Sequence, residues 1–282
     1  MAAADSREMS VVRHPVGLRA LFGAAFDHAS LLWQFSRREL SGRYRGSLLG
    51  FGWAIVNPLL LLAAYTFVFS VVFRIRWDGP VADRTGFALA VYSGMIVHGF
   101  FAECMTRAPQ LVVDHRNLVK KVVFPLSILP WSVLLVAGFH FLVGIALIAI
   151  AVLAKTGALP VTALALPAIA APLALLALGV VYGCAALGVY LRDLSQVVGF
   201  LALMLLFLSP VFYPASAVPP DWRFVIEINP VATFIGMVRG ALLVGTWPGA
   251  GAMAAMWALS LAVAWIGFYG FQRSRRGFAD VL

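Results

Sequence analysis

The sequence predicts an all-α integral membrane protein. It has six transmembrane helices, an N-terminal interface helix on the cytoplasmic face, and a re-entrant external helical hairpin before the last span. Three observations carry this reading. Of the 282 residues, 62% are hydrophobic and 12% charged, with a mean hydropathy of +0.93; a water-soluble domain is about 45–50% apolar. Apolar runs recur from residue 50 to residue 270, several of them long enough to cross a bilayer, which takes about 20 residues. Acids are nearly absent from those runs. Glu103 sits near the end of one, and the others fall in loops or tails. Buried carboxylates mark proton- and sodium-driven carriers, so their scarcity argues against ion coupling and places any driving energy elsewhere.

From the N-terminus, residues 1–48 hold no apolar run and read as a retained cytoplasmic leader rather than a cleaved signal. Residues 49–271 form the transmembrane domain and 272–282 a cytoplasmic tail. Spans are expected at 50–73, 87–106, 122–154, 161–191, 197–213 and 250–271. The third and fourth exceed bilayer thickness and must tilt, kink or project; Pro125, Pro130, Pro167 and Pro172 permit bends near their ends. The stretch 223–247 is partly apolar but contains Glu227, Asn229-Pro230 and Arg239. A crossing there would put the C-terminal arginines outside. A hairpin over 214–247 that dips in from the outer face and returns is therefore preferred, since irregular backbone is tolerated where protein or water surrounds it.

The net charge of +9 follows the same topology. Basic residues concentrate in the leader (Arg7, Arg13, Arg19, Arg37, Arg38, Arg43, Arg45), in the loop after the second span (Arg107, Arg116, Lys120, Lys121), at Arg192, and in the tail (Arg273, Arg275, Arg276). Fewer fall on the other side: Arg74, Arg76, Arg84, Lys155, Arg223 and Arg239. The positive-inside rule then places both termini in the cytoplasm. It also accounts for the basic charge without a nucleic-acid partner. Cys104 and Cys184 lie in apolar stretches and read as small buried thiols, with neither disulfide nor metal spacing.

Enzymatic signatures are missing. There is no G-x-x-x-x-G-K-S/T loop to hold ATP, no H-E-x-x-H metal motif and no nucleophile elbow. No catalytic residue or metal ligand is expected in this chain.

Four stretches stand out. LLWQFSRRELSGRYRGS (31–47) mixes aromatic and basic residues just before the first span, as suits the headgroup zone. It reads as a helix on the cytoplasmic face, serving either as an anchor or as a protein contact. The first span carries Phe51, Trp53, Asn57-Pro58, Tyr65, Phe67 and Phe69. These aromatics either pack against lipid or line a pathway, where ring faces suit the C–H face of sugars. The loop RAPQLVVDHRNLVKKVVF (107–124) is a short amphipathic segment able to dock in a groove of another protein, or else an ordinary basic loop. Arg192-Asp193 marks a second short cytoplasmic loop. His98, His140 and Glu103 are the polar residues nearest membrane depth. Hydrogen bonding between helices is their default role, and a proton relay is not expected.

The order GRYRGSLLGFGWAIVNPLL, KKVVFPLSILP, LRDLSQVVGFLALMLLFLSPVFYP, INPVATFIGMVRGALL resembles the ABC-2 permease family. Its nearest likeness is to the polysaccharide-export branch of O-antigen and teichoic-acid permeases, with capsule permeases as cousins. The resemblance runs from about Leu31 to the end. It implies a homodimer of permeases working with two copies of a separate ATPase, which would bind the ATP and magnesium. It further implies a cargo glycan on an undecaprenyl-type pyrophosphate, passed through the bacterial inner membrane between the permeases. Residues 31–47 match the interface helix. Asp114, His115, Arg116, Asn117 and Leu118 match the ATPase-coupling helix, and Arg192 and Asp193 a second ATPase contact. The segment 214–247, with Tyr213, Pro214, Asn229 and Pro230, matches an external gate. On this reading Arg38, Arg43, Tyr44 and Arg45 are candidate pyrophosphate contacts, by charge-assisted hydrogen bonds. Trp53, Asn57, Tyr65 and Phe69 are candidate channel-lining residues. A permease for a small lipid or drug would share the fold, and a membrane-embedded glycan transferase would need polar catalytic residues at the membrane face.

Overall fold

A computed structural model describes residues 17–72, 81–121 and 124–282, and among these there is helix and no strand. Arg7, Arg13, Arg74 and Arg76, which enter the charge asymmetry, lie outside the described residues. The leader forms α1 (Leu18–Phe26) and α2 (Ala29–Tyr44). A tight turn at Gly50–Gly52 leads into α3 (Trp53–Thr66), which runs through Pro58 and loosens into a wider turn over Phe67–Val72. Then follow α4 (Arg84–Arg107), the short α5 (Leu111–Asp114) and α6 (Arg116–Lys121), and α7 (Ile128–Thr156). The second half comprises α8 (Leu166–Tyr190), α9 (Leu194–Leu208), α10 (Arg223–Ile228), α11 (Pro230–Arg239), α12 (Ala250–Ser274) and α13 (Phe278–Val281).

Among the described residues, five helical stretches are long and apolar enough to cross a membrane: Gly50–Phe69, Arg84–Arg107, Ile128–Thr156, Val161–Tyr190 and Ala250–Val281. Their ends have local causes. Gly157, at φ 77°, closes α7 in the left-handed conformation that glycine adopts without a Cβ penalty. Pro167, in the first turn of α8, costs nothing there because its missing N–H would have had no helical partner.

The expected span at 197–213 is where the structure departs from the sequence reading. Its helix, α9, has 15 residues, about 22 Å at 1.5 Å per residue, against a hydrocarbon core of about 30 Å. Pro210 explains the early stop. The residue before a proline is pushed out of the helical region, and Ser209 is extended at φ −99°, ψ 145°. The same rule breaks the segment that follows. Asn229 precedes Pro230, is extended at φ −79°, ψ 109°, and caps α11 by accepting from the N–H groups of Val231 and Ala232. The helical stretches on either side of it, Pro220–Ile228 and Pro230–Val244, meet at 91°. A sharp internal bend of this kind is what the re-entrant reading requires; by length and composition the pair also equals one broken span.

The centre of the bundle is α4, with 67% of its most apolar window buried, whereas α3 has 6%. Small residues permit the closest packing. A Cβ on Gly267 of α12 would overlap the Gly179 carbonyl of α8, and one on Gly179 would sit 2.6 Å from the Ala264 Cα. Beside this crossing Tyr182 meets Phe268 and Phe271 edge-on at 5.2 and 5.3 Å and donates its hydroxyl to the Ser127 carbonyl at 2.6 Å. At one end Lys155 donates to Asp83 at 2.5 Å, tying the end of α7 to the start of α4. That hydrogen bond holds the Asp83 carboxyl below its ordinary pKa.

Candidate functional site

The polar residues that the apolar pattern leaves over converge at the arginine-rich end. There α2 packs on the bundle and offers Glu39, Arg43 and Tyr44. Glu103 and Arg107 come from the last turns of α4, and His140 from mid-α7. Arg43 Nη2 lies 2.6 Å from Glu103 Oε1, and His140 Nδ1 lies 2.9 Å from Glu103 Oε2. Arg107 pairs with Glu39 and approaches Glu103 at 3.9 Å. The two acids and two arginines therefore balance, with side chains 19–32% exposed. The Tyr44 hydroxyl is 2.8 Å from His140 Nε2. In a neutral imidazole that donates from Nδ1 to the carboxylate, Nε2 accepts the Tyr44 proton. Burial pushes the Tyr44 phenol upward, against the opposing pull of Arg43, so it stays protonated as a donor. His140 thus finds an acid 37 positions away in sequence, and its role as an interhelical hydrogen-bonding group holds. His98 bridges α4 to α9 through the Ala202 carbonyl at 3.0 Å.

Among the four candidate pyrophosphate residues, Arg43 and Tyr44 are held in this network, while Arg38 and Arg45 stand exposed at the surface. Sequence reasoning passed over Glu39 and Arg107 as partners. The available signal was an acid on the basic 31–47 segment facing an arginine at the mouth of the second span.

The candidate coupling residues straddle a joint. Asp114 ends α5, His115 lies between the two short helices, and Arg116, Asn117 and Leu118 begin α6. Leu111 and Val112 are buried and anchor the segment, whereas Asp114, Arg116 and Asn117 are exposed. The His115 ring packs on Phe35 of α2 at 5.1 Å, and Phe35 also meets Phe124 at 6.3 Å. Arg192 and Asp193 form the exposed turn between α8 and α9. That turn lies at the same end, because Gly188 of α8 touches the Pro109 carbonyl just before α5. The end of α12 joins them: Arg275 donates to the Phe124 carbonyl at 3.2 Å, and Tyr190 to the Ser274 carbonyl at 3.0 Å.

At the other end, two of the candidate gate residues, Asn229 and Tyr213, are tied to the end of α9. Asn229 Nδ2 donates to Ser209 Oγ at 2.9 Å, linking the bend before α11 to the end of α9, and Pro230 starts α11. Tyr213 donates to the Phe207 carbonyl at 2.8 Å, and Pro214 starts the turn that follows. The residue that organises this end is Arg239, read from sequence as an external charge but 8% exposed in the fold. Its Nε donates to the Ala90 carbonyl at 2.9 Å and Ser93 Oγ at 3.2 Å, Nη1 to the Pro210 carbonyl at 2.7 Å, and Nη2 to the Val211 carbonyl at 3.0 Å. It thereby fastens α11 to α4 and to the irregular chain after α9.

Between the two ends, α3, α4, α7 and α9 enclose an open cleft of about 350 Å³. Asn57 and Tyr65 line it with Tyr92, His98, Glu103 and His140. The other two candidate channel residues are placed elsewhere. Trp53 is half-buried at the start of α3, and Phe69 stacks on Phe212 at 4.6 Å and 9°.

A family model described as ABC-2 type transporter matches residues 30–243. Curated relatives include an O-antigen export system permease protein RfbA of Klebsiella pneumoniae, 29% identical over 226 residues, covering 79% of this chain and 83% of its own. A protein of the same name from Myxococcus xanthus is 28% identical over 258 residues, covering 90% of this chain and 96% of its own. With the helical bundle, its membrane-length apolar helices and a family match across most of its length, the chain is a multi-pass membrane protein that belongs to the ABC-2 type transporter family.

Proposed function

We propose that this chain is the permease subunit of an exporter for a lipid-linked, O-antigen-like polysaccharide, driven by ATP hydrolysis on a separate subunit. The observation that carries the reading is the similarity to O-antigen export permeases along 90% of the chain. The sequence has no P-loop, which supports an energy source in a partner ATPase that binds the ATP and magnesium. The working unit is a homodimer of this permease with two ATPases in the bacterial inner membrane, both termini cytoplasmic. Its cargo is a glycan on an undecaprenyl-type pyrophosphate. The division into leader, transmembrane domain and tail at residues 48 and 271 belongs to this reading.

The geometry suits the task. Asp114, Arg116 and Asn117 project from short helices anchored by Leu111 and Val112, a shape that fits a groove on the ATPase. Arg192 and Asp193, at the same end, give a second contact. A push on α5 reaches α2 through the His115–Phe35 contact and α4 through the turn at Pro109. The bare faces of α3 and α9, which expose Ile55, Leu59, Val197, Phe200 and Leu201, suit a second permease. The bent pair α10–α11 serves as the outer gate, a re-entrant hairpin hung from α9 by Asn229. Arg38 and Arg45 are candidate groups left open to a lipid pyrophosphate.

The test is reconstitution. In vesicles with the cognate ATPase, the chain should move lipid-linked polysaccharide only with ATP, and the chain alone should neither transport nor hydrolyse ATP. Uphill transport by the chain alone, or transport of a small lipid but no glycan, would reject the proposal. A single cysteine placed after Phe271 should label only from the cytoplasmic side.

A further inference from the structure

A second cavity lies at the arginine-rich end, apart from the coupling joint. It measures about 620 Å³ and is walled by α1, the α1–α2 turn, the chain at 124–127 and the end of α12. Its depth follows from its anchors. Trp131 Nε1 donates to the Leu21 carbonyl of α1 at 3.3 Å, and the Trp131 ring meets Phe22 at 6.1 Å. Trp131 lies in the first turn of α7, and Gln272 and Arg275 lie at the close of α12. The cavity therefore sits where two membrane-length helices end, the level of lipid head groups. Charges of both signs face it. Arg19 and Arg275 supply two guanidiniums, and Asp27, beside His28 in the α1–α2 turn, supplies a carboxylate. Among the described residues no ion pair joins Asp27 to either arginine. Arg19, Asp27 and His28 are exposed, so their polar atoms are open to a ligand. Arg275 is half-buried and oriented by the bond from Nη2 to the Phe124 carbonyl at 3.2 Å, which leaves Nε and Nη1 for a ligand.

The charges select the ligand class. Two guanidiniums alone would favour any phosphate, through charge-assisted hydrogen bonds. The carboxylate narrows the choice, because it repels a phosphate without a cation of its own and attracts one that carries an ammonium. Separated charges of both signs in one cavity are complemented by a zwitterion. The flank of α1 adds a second requirement. Phe22 and Phe26 follow Arg19 by three and seven residues and so share one stripe of the helix with it. They are 37% and 76% exposed. Apolar rings beside a cation at head-group level suit the place where acyl chains leave a lipid head. We propose that this cavity holds the head group of a phosphoethanolamine glycerolipid. Arg19 and Arg275 take its phosphodiester, Asp27 takes its ammonium, and Phe22 and Phe26 border its chains. The bound lipid bridges α1 to the end of α12. The inference needs only a membrane-embedded chain and is independent of the cargo.

The experiment titrates the full chain, delipidated in detergent, with dioleoyl phosphatidylethanolamine or dioleoyl phosphatidylglycerol and counts bound lipid by native mass spectrometry. The first phosphatidylethanolamine should bind about threefold or more tighter than phosphatidylglycerol, the scale of one exposed charge pair. Asp27→Asn should erase that preference and keep phosphatidylglycerol binding. Arg275→Gln should weaken both lipids by about threefold or more. Should Arg275→Gln fail to fold, Arg19→Gln on the exposed face of α1 carries the same expected loss. Phosphatidylglycerol bound as tightly as phosphatidylethanolamine by the unaltered chain overturns the site, as does a preference that survives Asp27→Asn. Full binding of both lipids by the arginine variants overturns it too. Water-soluble glycerophosphoethanolamine, which has the head group without the chains, should not displace the lipid at equal concentration. Equal competition would make the ligand a free phosphoester and overturn the lipid assignment.

Discussion

At the scale of single residues, Glu103 and Arg239 show two ways of keeping charge at membrane depth. Glu103 is held by Arg43, His140 and Arg107, so its charge is neutralised by neighbours on three helices. Glu103→Gln should lower unfolding free energy on the order of 1–3 kcal/mol by thermal unfolding in detergent, at the lower end because the pair is partly exposed. Arg43→Gln should cost a similar amount, and the double variant clearly less than the sum; additive losses would show that the two do not act as a pair. Arg239 instead spreads its guanidinium over three backbone carbonyls and a serine. A lysine cannot match that fork. Arg239→Lys should cost roughly 2–4 kcal/mol and open the chain around residue 210 to proteolysis. Wild-type stability would refute its fastening role. For the proposed pyrophosphate contacts, changing Arg43 also breaks the network, so the informative variant is Arg38→Glu with Arg45→Glu. It should leave folding intact and reduce export; unaltered export would leave these residues as topology anchors.

At the scale of elements, backbone constraints set where helices stop and how closely they cross. Pro210 and Pro230 act through the residue before them, which is why α9 is short and the following pair bends. The α8–α12 crossing depends on two glycines. Gly267→Ala, whose new methyl would meet the Gly179 carbonyl, should destabilise by about 1–3 kcal/mol. Gly270→Ala, with open space at the same helix end, should be neutral or slightly stabilising. Equal melting temperatures for the two would mean that the helices are not in backbone contact. Apolar run lengths made α4, α7, α8 and α12 legible in advance. The end of α9 was misread because the apolar residues continue past Pro210 to Tyr213 while the helix does not.

At the scale of the whole molecule, one end gathers the elements proposed for coupling. It brings together the α5–α6 joint, the α8–α9 turn, α2 and the end of α12 through ring contacts, one glycine approach and two side-chain hydrogen bonds. Replacing Asp114 and Arg116 with alanine should leave insertion and helix packing intact, since both side chains are exposed and lie outside the buried anchor of Leu111 and Val112 and the His115–Phe35 contact. Export should fall about tenfold or more, the scale of a typical coupling energy. Normal export would reject this joint as the coupling element.

By itself, the sequence determined that this chain lives in a bilayer, that its cations cluster in the leader, one loop and the tail, that it carries no P-loop motif, and which stretches resemble an export permease. These follow from composition, run length and local motifs, all of which act along the chain. Only the tertiary structure decided that Arg43 and Tyr44 serve Glu103 and His140, that Arg239 is buried, and that Asn57 and Tyr65 share a cleft with Tyr92 while Trp53 and Phe69 do not. Those outcomes depend on the rotation of each helix about its axis. The mean hydropathy of a span carries little information about rotation when nearly every face is apolar, so the few polar side chains reveal it only once the helices have met.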